Sequence, residues 1–258
     1  MVIRVAAMIL LCALSAFAAR GADGPPGAAS AEWTRVFETA GGAFDEGRYP
    51  DAIDLYTSLL DQNVVASELL LNLGNAYFRS GRLSDAILHY RRAWYLAPRD
   101  ADIRANLGFA MREANAVISP ESPVRRVSRN LTVSEWCLVA TLAWWMAGLA
   151  AVAAILKRNF RPVFGRMAAL ILLVLIVALA AVWDGAKIRS GREQVIVRDN
   201  VEALYAPLED AQAHFAVPAG SIVELRESAP PWAKVSVGNE TGWIRTEAAK
   251  TVANRPAI

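Results

Sequence analysis

The chain has 258 residues, of which 55% are hydrophobic, with a mean hydropathy of +0.27 and a formal net charge of +2. So apolar a composition is unusual for a soluble domain of this size. The surplus positive charge lies in one short segment, Lys157 to Arg166, and not on a basic face. The composition therefore argues against nucleic acid as a partner.

The first 19 residues have the pattern of a secretory signal peptide. Arg4 gives a short basic start, an apolar run extends from Val5 to Phe17, and Ala16 to Ala18 form a plausible cleavage site. Residues 20–31, rich in Gly, Ala and Pro, then read as a leader. Lipidation of Cys12 is disfavoured, because Leu11 stands where a small residue is wanted.

Residues 67–100 form a 34-residue unit that resembles a complete tetratricopeptide (TPR) repeat. Small residues stand where two helices would cross, apolar residues recur at helical spacing, a glycine marks the turn and a proline follows the second helix. An unrelated amphipathic hairpin would share only the apolar spacing. The matching residues are Leu73, Gly74, Tyr77, Gly81, Ala86, Tyr90, Ala93 and Pro98.

The neighbouring segments repeat this pattern at the same period. Residues 33–66 form a weaker second repeat, and residues 101–116 match only a first helix, which predicts a capping helix. The predicted array therefore covers residues 32–116. The segment 117–134 is rich in Pro, Ser and Arg and is expected to be a linker.

In TPR arrays the first helix of each repeat lines a concave groove, and the resemblance assigns that role to one set of positions here. The set is apolar with a few polar points, which suits a peptide with apolar anchors. Capture of a C-terminal carboxylate is doubtful, because Phe37, Leu71 and Ala105 stand where basic residues are needed. The alternative is that these side chains pack on the linker. We call the set the groove residues: Phe37, Phe44, Glu68, Leu71, Asn75, Phe78, Arg79, Phe109 and Arg112.

Two apolar segments, 135–156 and 167–183, predict transmembrane helices. Their uncharged cores of 21 and 17 residues would span roughly 31 and 25 Å, close to the thickness of a bilayer core. Residues 157–166 between them carry four basic residues and no acid. The positive-inside rule places this loop in the cytoplasm and both flanking parts outside it, although Arg125, Arg126 and Arg129 weaken the inference. A buried helical hairpin fits poorly, because neither segment has a polar face.

The C-terminal residues 190–250 change to short β-rich runs separated by turn residues. Five such runs are expected to close into a small barrel: 195–197, 201–205, 222–226, 232–237 and 243–244. The order of Gly220, Trp232 and the Gly242-Trp243 pair resembles a bacterial SH3-like domain. An unrelated small β-barrel remains the alternative. The expected fold class is thus a multidomain membrane protein with TPR hairpins, two transmembrane helices and an all-β SH3-like domain.

Residues that carry catalysis or hold a metal are not evident in the sequence. The only histidines, His89 and His214, are expected at the surface, and no cluster of Cys and His supplies a metal site. Phosphate loops and nucleophile motifs are also missing. With Cys12 in the signal peptide and Cys137 in a span, we expect no disulfide. The sequence thus predicts a protein that is not an enzyme and needs no cofactor.

The order of these modules resembles the BatE family of aerotolerance-operon proteins. The resemblance implies a non-enzymatic scaffold in the bacterial inner membrane with both outer domains in the periplasm. Its implied partners are membrane proteins with von Willebrand A domains and a MoxR-type ATPase system. The alternative function is a cell-wall sensor whose SH3-like domain binds peptidoglycan, and an enzyme is the least favoured class.

Overall fold

The computed structural model describes residues 27–118, 131–156, 161–189, 191–199 and 201–253. The predicted signal peptide, most of the leader and residues 119–130 of the linker lie outside these ranges. Five helices form the N-terminal part that is described, which we call the helical array: α1 (Gly27–Asp45), α2 (Tyr49–Asp61), α3 (Ser67–Arg79), α4 (Leu83–Leu96) and α5 (Ala101–Glu113).

The helical array consists of two antiparallel hairpins and one further helix. The first helices α1, α3 and α5 contact one another in a row, and α2 and α4 pack against them as a second layer. Residues with positive φ follow four of the helices: Gly47, Asn63, Gly81 and Asn115. Gly and Asn adopt this left-handed backbone at the lowest cost, so they end the helices and turn the chain.

The predicted role of Gly74 as a small residue between two helices is seen directly. A Cβ atom at this position would lie 2.6 Å from ring atoms of Tyr90, so only glycine lets α3 approach α4 so closely. At the N-terminus, α1 begins at Gly27, within the segment expected to be a leader. Ala28, Ala29 and Ala31 are strong helix formers, which explains the earlier start.

Two long apolar helices follow, α6 (Val133–Leu156) and α7 (Arg161–Arg189), and they pack against each other. Segments of 23 and 22 residues, Ser134–Leu156 and Pro162–Trp183, are long and apolar enough to cross a membrane. Only 11% of each is buried inside the protein. The second segment is longer than the predicted 17 residues, because the helix already begins at Arg161.

The start of α6 is held to the helical array. Thr132 and Glu135 form a reciprocal cap: the Thr132 N–H donates to the Glu135 carboxylate at 2.8 Å, and the Glu135 N–H donates to the Thr132 hydroxyl at 3.3 Å. Arg99, in the turn between α4 and α5, forms an exposed ion pair with Glu135 at 2.6 Å. This cap fixes the first residue of α6.

The C-terminal residues form one antiparallel sheet, which we call the sheet domain. Its strands run in the order β3-β2-β6-β5-β4-β1-β7. Inward residues such as Ile196, Val217, Val235 and Ile244 share one apolar core. The strands are β1 (Glu193–Ile196), β2 (Val201–Leu204), β3 (Ala213–Val217), β4 (Ile222–Ala229), β5 (Trp232–Val237), β6 (Glu240–Arg245) and β7 (Ala249–Thr251).

The sheet differs from the predicted five-stranded barrel in two respects. β3 and β7 were not predicted, and they form the two edges of an open sheet in the part of the chain that is described. β7 is only three residues long and pairs with β1, far away in sequence, so its own sequence carries no signal of a strand. The edge at β7 lies against the helical array, where the Thr251 carbonyl accepts a hydrogen bond from Arg92.

Candidate functional site

The groove residues all lie on the first helices of the array. Phe37 and Phe44 are on α1, Phe109 and Arg112 are on α5, and the others are on α3. Neighbours three or four residues apart share one side of a helix, which brings Leu71, Asn75 and Phe78 together on α3. The contacts of these side chains divide them into a polar centre, two aromatic clusters and a packed edge.

Asn75 is the polar centre, and its side chain joins three helices. Its Oδ1 accepts one hydrogen bond from the Tyr90 hydroxyl of α4 at 2.8 Å and another from Asn106 Nδ2 of α5 at 3.1 Å. Burial raises the pKa of Tyr90, which keeps its phenol protonated and able to donate. The Asn75 amide nitrogen donates to no residue that the structure describes, so this half-buried group has two hydrogens to offer a ligand.

The first aromatic cluster lies between α3 and α5. The rings of Phe78 and Phe109 are 5.6 Å apart at an angle of 57°. Phe109 remains 50% exposed, and the Arg112 guanidinium lies 5.9 Å above its ring. A large apolar side chain that stays half exposed on a packed helix is a natural anchor point for a partner.

The second aromatic cluster lies between α1, α2 and α3. Phe44 contacts Tyr49 with ring centroids 5.4 Å apart, and the Arg79 guanidinium lies 5.4 Å above the Tyr49 ring. Arg79 and Arg112 are both exposed, and neither forms an ion pair with a described residue. Contacts with Tyr49 and Phe109 position the two guanidiniums, whose N–H groups are left to donate hydrogen bonds to a ligand.

The remaining groove residues contribute packing more than exposed surface. Phe37 meets the buried Tyr56 edge-on at 5.5 Å, and Leu71 is half-buried against the core of the array. Glu68 is exposed in the first turn of α3. The alternative that the groove residues pack on the linker involves residues 119–130, which lie outside the described part.

The four residues that mark the C-terminal domain in the sequence have different roles. Trp232 opens β5 and is buried beneath Arg245, whose guanidinium lies 4.5 Å from the ring. Trp243 in β6 is half-exposed near Lys234. A Cβ on Gly242 would lie 2.7 Å from Ala203 Cβ, so this glycine lets β2 approach β6. Gly220 lies against Ile87 of the helical array, and its N–H donates to the Ile196 carbonyl of β1 at 2.8 Å.

The prediction that His89 lies at the surface is wrong. The residue is only 7% exposed on α4, where its ring faces Tyr77 of α3 and its neighbours Asp85 and Arg92 bond to β7. His214 is half-buried between the rings of Tyr205 and Phe215. Among the described residues, no group of three or more His, Cys, Asp or Glu side chains is placed to hold a metal ion.

Three residues that contribute to this site were not identified in the sequence as part of it. Tyr49 supports Arg79, while Tyr90 and Asn106 hold Asn75. Tyr90 was assigned only to packing, although a buried tyrosine requires a hydrogen-bond partner. Asn106 lies 31 residues after Asn75, which is not one 34-residue period, so the repeat pattern alone does not pair the two amides.

Comparison with known families supports the repeat assignment. A tetratricopeptide repeat model matches residues 39–101, which extend from the middle of α1 to the start of α5. The protein therefore contains tetratricopeptide repeats, a class of helical hairpin that mediates protein-protein interactions and is generally non-catalytic. No curated protein matches the chain.

Proposed function

We propose that this protein is a membrane-anchored scaffold that binds a protein partner through the groove residues. The observation that carries the proposal is the arrangement around Asn75. A fixed amide lies between two aromatic clusters, and each cluster holds an exposed arginine without an ion pair to a described residue. Apolar anchors beside hydrogen-bond donors suit a peptide or helix of a partner protein.

Membrane anchoring is supported by how little of α6 and α7 is covered. A core helix of a soluble protein is mostly buried, whereas each apolar segment is only 11% buried here. Leu138, Leu149, Leu170 and Leu179 are all more than half exposed. So much uncovered apolar surface favours lipid as the surrounding medium.

The contacts between the helical array and the sheet domain constrain the topology. Arg91 of α4 pairs with Glu193 of β1, so the two domains must lie on the same side of any membrane. The two apolar helices lie between them in sequence, and an even number of crossings returns the chain to its starting side. This supports a two-pass hairpin, and the basic loop supports its placement in the cytoplasm.

The finer proposal follows the resemblance in the sequence. A cleaved signal peptide and a cytoplasmic loop would place both outer domains in the periplasm, as in the BatE family of aerotolerance proteins. Partners would then be membrane proteins with von Willebrand A domains and a MoxR-type ATPase system. The order of the helical array, the apolar hairpin and the sheet domain supports this assignment.

Photocrosslinking from a reporter residue at Ala105 on α5, followed by pull-down from native membranes, tests the proposal. Phe109→Glu places a charge in the first aromatic cluster and should remove the crosslinked partner. Leu96→Glu is the matched control, because Leu96 is similarly exposed but lies at the end of α4, in the other layer. Capture that survives Phe109→Glu would show that this surface does not bind the partner.

A second function, binding of peptidoglycan through an SH3-like domain, is favoured by one exposed aromatic pair. Tyr205 is 61% exposed, and its ring lies 4.1 Å from that of His214. Such a pair suits stacking on a saccharide or a peptide plane. Retention of the full chain on isolated murein, with loss of retention in Tyr205→Ala, would support this function.

A further inference from the structure

The most buried charged group of the sheet domain that the structure describes is joined to the helical array. The Glu193 carboxylate of β1 accepts two hydrogen bonds from Arg91 of α4, at 2.7 and 3.3 Å, and both side chains are about 5% exposed. The Tyr95 hydroxyl lies 2.8 Å from both carboxylate oxygens. Removing one partner of such a buried pair leaves the other charge buried and uncompensated.

A second set of contacts joins α4 to β7. The Arg92 guanidinium donates to the Thr251 carbonyl at 2.8 Å, and Lys250 Nζ pairs with Asp85 at 3.0 Å. These contacts cover the outer edge of β7. An exposed strand edge is prone to pairing with other chains, so this edge is protected by the array.

A third set of contacts comes from the chain that leaves α5. The Val117 N–H donates to the Ser221 hydroxyl at 3.0 Å, and the Ile222 N–H donates to the Val117 carbonyl at 2.9 Å. Gly220, with φ of +79°, lies directly against α4, since a Cβ there would be 2.5 Å from Ile87 Cδ1. The predicted linker thus begins as part of the interdomain contact.

The two domains also share one apolar core. Val195, Ile222 and Val252 of the sheet domain are buried in the same cluster as Ile87 and Met111 of the helical array. A second helix of a third repeat would normally cover α4 and α5, and this chain has no such helix in its described residues. The sheet domain occupies that position. Repeat arrays need a terminal cap to cover their last apolar face.

One helix, α4, meets both the sheet domain and the polar centre of the groove. Arg91 follows Tyr90 on α4, and the Tyr90 hydroxyl holds Asn75. We propose that the sheet domain is the cap of the repeat array and that, by holding α4, it keeps Asn75 in its binding position. This inference goes beyond the scaffold function, because it requires no partner at the groove.

A sheet domain that caps the array imposes an order on folding in the membrane. Helices α6 and α7 separate the array from its cap in sequence, so the array is completed only after residues 191–253 reach the same side. Residues 191–253 alone would expose Val195, Ile222 and Val252 and leave Glu193 without its partner arginine. The sheet domain therefore completes the array in addition to forming its own core.

Hydrogen exchange on the full chain in detergent tests this role without any ligand. Glu193→Ala should speed exchange at least roughly tenfold in α4, α5 and β1 together, because Arg91 loses the carboxylate against which it is buried. Glu202→Ala is the matched control, since Glu202 is an exposed carboxylate on β2 of the same sheet. It should leave exchange in α4 and α5 unchanged.

A double variant separates the specific contact from general damage. Arg91→Met with Glu193→Met replaces the buried pair by apolar side chains of similar length and should restore protection in α4. Faster exchange confined to residues 191–253, with α4 and α5 as in the native chain, would overturn the proposal. If Glu193→Ala does not accumulate, Lys250→Ala provides the same comparison: faster exchange in α4 supports the cap, and unchanged exchange in α4 overturns it.

Discussion

The imidazole ring of His89 stacks on the ring of Tyr77, with centroids 5.2 Å apart and planes 12° from parallel. The two residues belong to facing helices, α4 and α3, and both rings are buried. Burial, and then the nearby charge of Arg92, lowers the pKa of His89 from 6.5 to about 3. The charged groups around it are Arg82 just before α4, Asp85 and Arg92 of α4, and Lys250 of β7.

This burial predicts that acid destabilises the array. The folded-state pKa of His89 is lowered, so the unfolded chain binds the extra proton between pH 6.5 and 3, and stability falls as the pH falls through that window. Between pH 7.5 and 5 the loss in free energy of unfolding should be about 2 kcal/mol. It is measured as the pH dependence of the opening free energy of α4 amides by hydrogen exchange.

The matched variants for this prediction are His89→Gln and His214→Gln. His89→Gln should remove most of the slope between pH 7.5 and 5, whereas His214→Gln should keep it. Asp85 does not contribute in this window. Burial alone would raise the pKa of Asp85, but Lys250 and Arg82 together lower it below its usual value of 3.8. Equal slopes in both variants would contradict the assignment to His89.

The helical array was predictable from the sequence because its determinants are local. Gly81 and Pro98 act within a few residues, Gly74 acts on Tyr90 within the same repeat, and the 34-residue period links the repeats. The contact between Arg91 and Glu193 was not predictable in this way, since 102 residues separate the two. In the sequence, Arg91 looks like an ordinary exposed residue of a helix. Only the tertiary structure shows that β1 covers it.

The groove residues show the same difference between features that local sequence determines and contacts that depend on the tertiary structure. Their positions in the repeat predict that they lie on first helices, and the residues are found on α1, α3 and α5, while their role as a groove stays a prediction. The links of Asn75 to Tyr90 and Asn106 depend on how three helices pack, which a single-repeat pattern does not describe. His89 shows the same limit, because its burial depends on how α4 packs against Tyr77 of α3.

Gly74→Ala tests the close approach of α3 and α4. The added methyl group would lie 2.6 Å from ring atoms of Tyr90, so we expect a destabilisation of about 1–3 kcal/mol. Because Tyr90 also holds Asn75, the shift should disturb the polar centre. The thermal midpoint in detergent, followed by tryptophan fluorescence, provides the measurement.

Gly42→Ala on α1 is the control for that substitution. A Cβ at Gly42 meets no atom within 4 Å, and alanine is the better helix former, so this change should stabilise α1 by roughly 0.5–1 kcal/mol. We therefore expect Gly74→Ala to lower the thermal midpoint and Gly42→Ala to raise it. A neutral Gly74→Ala would mean that α3 and α4 lie farther apart than described.

Asp100→Ala tests the start of α5. The Asp100 carboxylate accepts hydrogen bonds from the Asp102 and Ile103 N–H groups at 2.9 and 3.1 Å, which caps the helix. Loss of this cap should cost about 1 kcal/mol and speed exchange in the first turn of α5. Asp102→Ala removes a carboxylate from the same turn but no cap, and it should cost less. Equal losses of stability in Asp100→Ala and Asp102→Ala would argue against the capping role of Asp100.

Cysteine labelling tests the side on which each domain lies. In a chain with Cys12→Ser and Cys137→Ser, single cysteines replace Glu46 in the turn after α1, Glu240 at the start of β6, and Lys157 in the predicted cytoplasmic loop. Because Arg91 and Glu193 are in contact, Glu46→Cys and Glu240→Cys should react alike with a membrane-impermeant maleimide.

In intact spheroplasts both should be labelled, and Lys157→Cys should react only after lysis. If only one of Glu46→Cys and Glu240→Cys were labelled, the two domains could not be in contact. If Lys157→Cys alone were labelled, the orientation would be the reverse, and the contact between the domains would stand.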